Sequence, residues 1–332
     1  MFLALRELRF ARGRFSLFCG VIALMTLMVV LLTGLTAGLG AASVSAVDAL
    51  PGTALAFSAE PKVSFATSSV SEQDQRALAA KAGVHSATPI GVSTAKLTGA
   101  VAVLGGVPGS SPTAGGVLVP PSLGLATGSH VRVNDQDLVV TGSTSEHSLN
   151  HLPAVYVSLD TWRRVAHTSG ATAILVDAEP GADLSSAGLT TLSRTEAYSA
   201  VGSYSSEQGS LNLMTGLLLG ISALVVGAFF TVWTMQRGHD LAVVRAIGAS
   251  RSYLLRDALG QAALVLVIGA GLGTALATGL GLAASTAVPF VLAPSTVLVP
   301  MALMVLVGLV GATFAVRRVT TVDPLTALGA AR

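Results

Sequence analysis

The chain runs to 332 residues, 52% of them hydrophobic and only 11% charged, under half the charged share of about 25% in an ordinary soluble domain. A net charge of +2 excludes nucleic acid as a partner recruited by bulk electrostatics, and a single cysteine, Cys19, excludes an internal disulfide. The deficit of charge is uneven along the chain, which argues for membrane spans joined to a water-exposed part.

Residues 1–14 carry Arg6, Arg9, Arg12 and Arg14 and lead into an uncharged run at 15–39. A bilayer core needs about 20 apolar residues, and a signal peptide's apolar region is only about 7–15. The run is therefore predicted to be a first span that stays in the membrane.

Residues 40–210 are rich in Ser, Thr, Gly, Ala and Val. A helix is predicted at 71–82, with Ser71 as cap and Asp74 at the third helical position, a variant of the capping box. Short β-like runs follow at 101–104, 117–120, 130–133, 138–141, 154–157 and 173–176, with Asn134-Asp135 as a hairpin turn. A second short helix is expected at 159–166, so the segment reads as an α+β domain. His147 and His151 have the i,i+4 spacing that could set two metal ligands on one helix face. Pro153 and the Ser/Asn-rich neighbours read instead as loop, and no metal site is expected. Neither a His-Glu-x-x-His pattern nor a Gly-x-Ser-x-Gly elbow occurs. The chain is not expected to be an enzyme.

A second span is expected at 211–235. Residues 236–257 read as an amphipathic helix, a Gly248-Ala249-Ser250 turn and a second helix that enters a third span at 258–288. Such a helix suits a lipid surface or a partner's groove equally. Pro289, Pro294 and Pro300 punctuate the turn before a fourth span at 297–316, and a tail occupies 317–332. Gly34 with Gly38, and Gly269 with Gly273, are small-xxx-small pairs that suit close helix contact, within the chain or between copies.

Lys and Arg in short flanks set orientation. Residues 1–14, 236–257 and 317–332 together carry a net +7, and the long segment between the first two spans a net −5. Both termini and the 236–257 loop are thus expected in the cytoplasm, with 40–210 and the short 287–296 turn outside. No Asp, Glu, Lys, Arg or His lies inside the four spans, which disfavours a proton relay. No G-x-x-x-x-G-K-[ST] phosphate cradle occurs. If ATP drives the protein, a separate subunit binds it.

Several segments resemble one family in the right order. They are ALRELRFARGR at 4–14, LGLATGSHVRVNDQDLVVTGSTSE at 123–146, AVYVSLDTWRRV at 154–165, RGHDLAVVRAIGASRSYLLRDALGQAALVLVIGAGLG at 237–273 and AVRRVTTVDPLTALGAAR at 315–332. Together they resemble the FtsX/MacB family, the type VII ABC transporter permeases. Asp240 stands where that family usually has Glu, and Gln261 where it often has an acid. The resemblance implies a membrane α-helical fold of four transmembrane helices with an inserted MacB-like α+β extracytoplasmic domain. It implies an amphipathic N-terminal helix at 1–14 and a multi-pass location in the bacterial cell membrane, in contact with lipid. The implied partners are a second permease copy and two copies of an ABC ATPase that binds the ATP. The ATPase-coupling region would be 236–257, with Arg237, Asp240, Arg245, Gly248 and Arg251. The implied action is mechanotransmission, with no intrinsic cofactor.

Family members export drugs, peptides, lipoproteins or heme, or regulate cell-wall hydrolases. The compact permease and an outer segment of 40–210 resemble the heme-exporting members, so heme is the expected substrate. The alternatives are a peptide, lipid or drug exporter, or an FtsX-like relay to a hydrolase. Met25 and Met28 share a face of the first span at i,i+3. Met214 lies about one turn into the second span, just after Tyr204 and Glu207. These five residues are the candidates for a pocket in the outer leaflet, with Glu207 and Met28 as iron ligands and Phe18 packing a porphyrin nearer the inner side. Glu207 also suits the positive end of a helix N-terminus.

Overall fold

The computed structural model describes residues 12–236, 248, 250–285 and 288–320. It divides into a membrane unit, Met1–Gly38 with Ser210–Arg332, and a domain unit, Leu39–Gly209.

Among the described residues, four helices are long and apolar enough to cross a membrane: α1 (Arg12–Asp48), α4 (Tyr204–Gln236), α5 (Arg251–Ala284) and α6 (Pro294–Thr320). Residues 15–47, 208–236, 258–284 and 294–314 of these helices hold no Asp, Glu, Lys, Arg or His. Helix α1 does not stop at residue 39, where its strongly apolar run ends. Its 37 residues span roughly 55 Å at 1.5 Å per residue, well over a hydrocarbon core of about 30 Å. It ends just before Pro51-Gly52, where proline restricts the preceding residue and Gly52 takes φ +111°. Helix α4 likewise begins at Tyr204, upstream of its apolar run.

In the membrane unit, glycine sets the contacts. A Cβ on Gly269 would lie 2.8 Å from Ile22, and one on Gly273 would collide with the carbonyl of Ala23, so α5 meets the backbone of α1. Gly34 and Gly38 receive Phe290 and the Pro289 carbonyl from the segment after α5, and the Val291 N–H donates to the Gly34 carbonyl at 3.2 Å. Both small-xxx-small pairs are therefore used within the chain. Phe18 of α1 stacks on Phe229 of α4 with centroids 3.6 Å apart and meets Phe230 edge-on at 5.6 Å. The buried hydroxyls of Thr26, Ser222 and Thr234 donate to carbonyls four residues back at 2.8, 2.7 and 2.6 Å, which satisfies them without a partner helix. Pro300 corrects the sequence reading: it lies inside α6 and not in the preceding turn. Pro294 is the first helical residue, where a missing N–H costs nothing.

The domain unit is a ten-stranded mixed sheet in the order β10-β1-β9-β2-β3-β8-β4-β6-β5, with β7 on β8. The strands are β1 (Ala54–Ser58), β2 (Val84–Lys96), β3 (Ala100–Gly105), β4 (Gly116–Val119), β5 (His130–Val133), β6 (Gln136–Ser143), β7 (Ser148–Leu149), β8 (Leu152–Val157), β9 (Ala173–Ala178) and β10 (Leu189–Ser193). Pairs β3–β8 and β4–β6 are parallel and the others antiparallel. Asn134-Asp135 makes the two-residue turn of the β5–β6 hairpin, with Asn134 at φ +53°. Helices α2 (Glu72–Ala79) and α3 (Leu159–Val165) cover the sheet. The Ser71–Asp74 capping box forms in both directions.

Two packing devices organise the cores. Val44, Ala46, Val47 and Leu50, at the end of α1, join Leu55, Phe57, Ile90, Leu104 and Tyr156 in the main cluster. Trp162 of α3 sits over the cross-strand pair Gly91 and Gly105, where any Cβ would strike the indole, and its Nε1 donates to Ser93 Oγ at 3.0 Å.

Candidate functional site

The β7–β8 hairpin turns on Asn150 and His151, both in the left-handed region at φ +52° and +64°. That pair of angles suits a two-residue turn between twisted strands, and asparagine takes it at small cost. The turn is clamped to the last turns of α1. The N–H groups of Asn150 and His151 donate to the Ser43 and Ala42 carbonyls at 2.9 and 3.1 Å. Ser148 N donates to Ser45 Oγ at 2.8 Å. Ahead of α4, Ser203 Oγ donates to Asn150 Oδ1 at 2.6 Å.

This clamp delivers the His151 ring to Glu207, in the first turn of α4. His151 Nε2 lies 3.1 Å from Glu207 Oε2 and 3.1 Å from Ser43 Oγ. Ser43 Oγ donates to the same Oε2 at 3.3 Å. The three contacts are mutually compatible when His151 carries a proton on Nε2. Ser43 is fully buried, whereas the His151 and Glu207 side chains are 38% and 23% exposed. As an ion pair this contact is worth about 1 kcal/mol or less. It is not a nucleophile–base–acid relay, because serine and carboxylate meet the same ring nitrogen and not opposite ones.

Tyr204 is half-buried against the main core, edge-on to Tyr198 at 5.8 Å. Tyr198 donates to Asp48 Oδ1 at 2.5 Å, and burial, then Asp48, pushes its phenol up to about 12. Arg194 Nη1 donates to the Asp48 and Leu50 carbonyls at 3.4 and 3.1 Å, so a cation closes the negative end of α1. In the membrane unit, Met28 and Met214 are exposed and Met25 half-buried. Structure thus gives Glu207 two partners that the sequence did not suggest, Ser43 and His151, 164 and 56 positions away.

His147 and His151 do not share a helix face. His147 precedes β7 and His151 lies in the turn after it, and His147 Nδ1 meets Tyr156 OH at 3.2 Å. Burial pushes that phenol up to about 12. Among the described residues no group of three His, Cys, Asp or Glu is placed to hold a metal ion. Of the coupling candidates, Arg237, Asp240 and Arg245 lie outside the described residues. Gly248 takes φ +104°, and Ser250 caps α5 by accepting from Tyr253 N at 3.2 Å, with Arg251 as the first residue of that helix. Gln261 is 2% exposed and donates to Asp257 Oδ2 at 3.0 Å.

Residues 212–324 match the model of the FtsX-like permease C-terminal family, so this multi-pass membrane protein carries an FtsX-like permease domain. The chain is 27% identical to the putative hemin transport system permease protein HrtB of Staphylococcus haemolyticus and 24% identical to that of Staphylococcus epidermidis, with 99% of each chain covered. It is 25% identical to an uncharacterized ABC transporter permease of Mycobacterium bovis, again over 99% of both. Among solved structures, the extracellular domain of the ABC-type transporter YknZ matches with a TM-score of 0.31 and 15% identity, covering 39% of this chain and 85% of that one. The periplasmic region of MacB from Actinobacillus actinomycetemcomitans gives 0.32 and 13%, covering 43% and 89%.

Proposed function

We propose that this chain is the permease subunit of an ABC transporter that exports heme. The observation that carries the reading is similarity along the whole chain to permeases named for hemin transport. The ATP is bound by a separate ATPase, two copies of which serve a permease homodimer through residues 236–257. The net +7 of the short segments against the −5 of the long one supports cytoplasmic termini and a domain unit outside. Helices α1 and α4 are each unbroken over their length, which suits work done by moving helices. Glu207 and Met28 are the candidate iron ligands, and Met25, Met214 and Tyr204 the candidate lining.

The test is a hemin titration of the purified chain, followed by the Soret band, for wild type, Glu207→Ala, Met28→Ala and Met214→Ala. The expected result is a saturable shift that Glu207→Ala and Met28→Ala weaken. No saturable binding, with or without the ATPase, would overturn heme export and turn attention to a peptide, lipid or drug exporter, or to a relay acting on a cell-wall hydrolase.

A further inference from the structure

The two contacts on Glu207 fall on one oxygen. Ser43 Oγ and His151 Nε2 both meet Oε2, at 3.3 and 3.1 Å, and Oε1 has no hydrogen-bond partner among the described residues. A carboxylate whose one oxygen is tied while the other is open is biased toward one orientation and offers a lone pair in a preferred direction. The donors are themselves fixed. Ser43 is fully buried on α1. His151 is fixed by its backbone bond to the Ala42 carbonyl and by a neighbour, Asn150, bonded to Ser43 and Ser203. A surface histidine held only for solubility needs none of this.

Resting on the heme reading of the site, we propose that His151 and Ser43 are positioning residues that hold Glu207 Oε2 and present Oε1 to the iron of the substrate. Ligating carboxylates are commonly held by outer hydrogen bonds, and losing such a partner costs about 10–100-fold in metal affinity. The proposal also links the site to the hairpin: the turn that aims Glu207 is the same turn that is bonded to α1, so displacement of β7–β8 withdraws the aim.

The experiment is a double-mutant cycle on the full chain in detergent, read by hemin affinity and by the Soret maximum of the bound ferric heme. His151→Ala is expected to weaken hemin about 10-fold and to shift the Soret maximum toward that of Glu207→Ala. His151→Gln, whose amide nitrogen reaches toward the same oxygen, is expected to restore most of the affinity and the wild-type spectrum. In a Glu207→Ala background His151→Ala should add nothing, because positioning has no meaning without the carboxylate. An equal further loss in that background would show a general structural effect and overturn the proposal. So would an unchanged affinity in His151→Ala while Glu207→Ala weakens binding, which leaves the heme reading standing. Failure of the wild type to bind hemin would overturn both.

Discussion

The two units solve opposite problems with the same residues. In the domain unit, large apolar side chains are hidden: Phe57, Leu55, Leu78, Ile90 and Leu104 are 0–1% exposed. In the membrane unit they are turned outward, with Leu17 74%, Leu224 73% and Phe314 72% exposed. There the closest helix contacts run through small residues, at Gly269 and Gly273 against α1 and at Gly311 against Ala223, beside one buried apolar cluster around Phe18, Ile22, Phe230 and Leu266. Water drives leucine inward and makes burial stabilising. Lipid is as apolar as leucine, so helices associate by close backbone contact, which small residues permit. Large apolar side chains are hidden in one unit and found both inside and outside in the other, and the difference identifies the solvent.

The chain offers one tryptophan to each unit, Trp162 in the domain and Trp233 in the membrane. Replacing one with Phe lets emission report the other alone. The largest effect should come from Phe57→Ala, which removes a ring 0% exposed and edge-on to Phe65 at 5.0 Å. A loss of about 4 kcal/mol is expected in the Trp162 transition; a loss below about 1 kcal/mol would mean that the domain core is not held as described. Gly273→Leu should come next, destabilising the Trp233 transition by about 2–3 kcal/mol, because side-chain atoms would be forced between α5 and the α1 backbone. An unchanged transition there would break the claim that small residues set helix contact. Leu224→Ala should be smallest, within about 0.5 kcal/mol despite the size of the deletion. A much larger loss would show that protein and not lipid covers that face.

Legibility in the sequence followed the same division. The spans were plain because their apolar runs are long. Strands β3, β5, β8 and β9 announced themselves as short Val- and Ala-rich runs, and the Asn134-Asp135 turn fixed one hairpin. The longest strand, β2, was missed because Pro89 and Gly91 argue against a strand. Pro89 nonetheless pairs opposite Ile174, and Gly91 is small because Trp162 lies over it. That reason belongs to tertiary packing and leaves no local signal. The overrun of α1 was missed because residues 40–47 are small and mildly apolar, suited to a helix but not diagnostic of one. At the site, Glu207 could be singled out as an acid beside a span. Its partners could not, because the segment around His147 and His151 reads only as loop, and it is the hairpin that sends the two rings to Tyr156 and Glu207.

The uncharged interior of the four long helices has an electrical consequence. Carrying one elementary charge across a membrane held at 100 mV involves about 2.3 kcal/mol. Residues 15–47, 208–236, 258–284 and 294–314 contain no formal charge, so a shift, tilt or rotation of these segments carries no gating charge through the field. A voltage sensor built from charged side chains inside these segments is therefore not available to the protein.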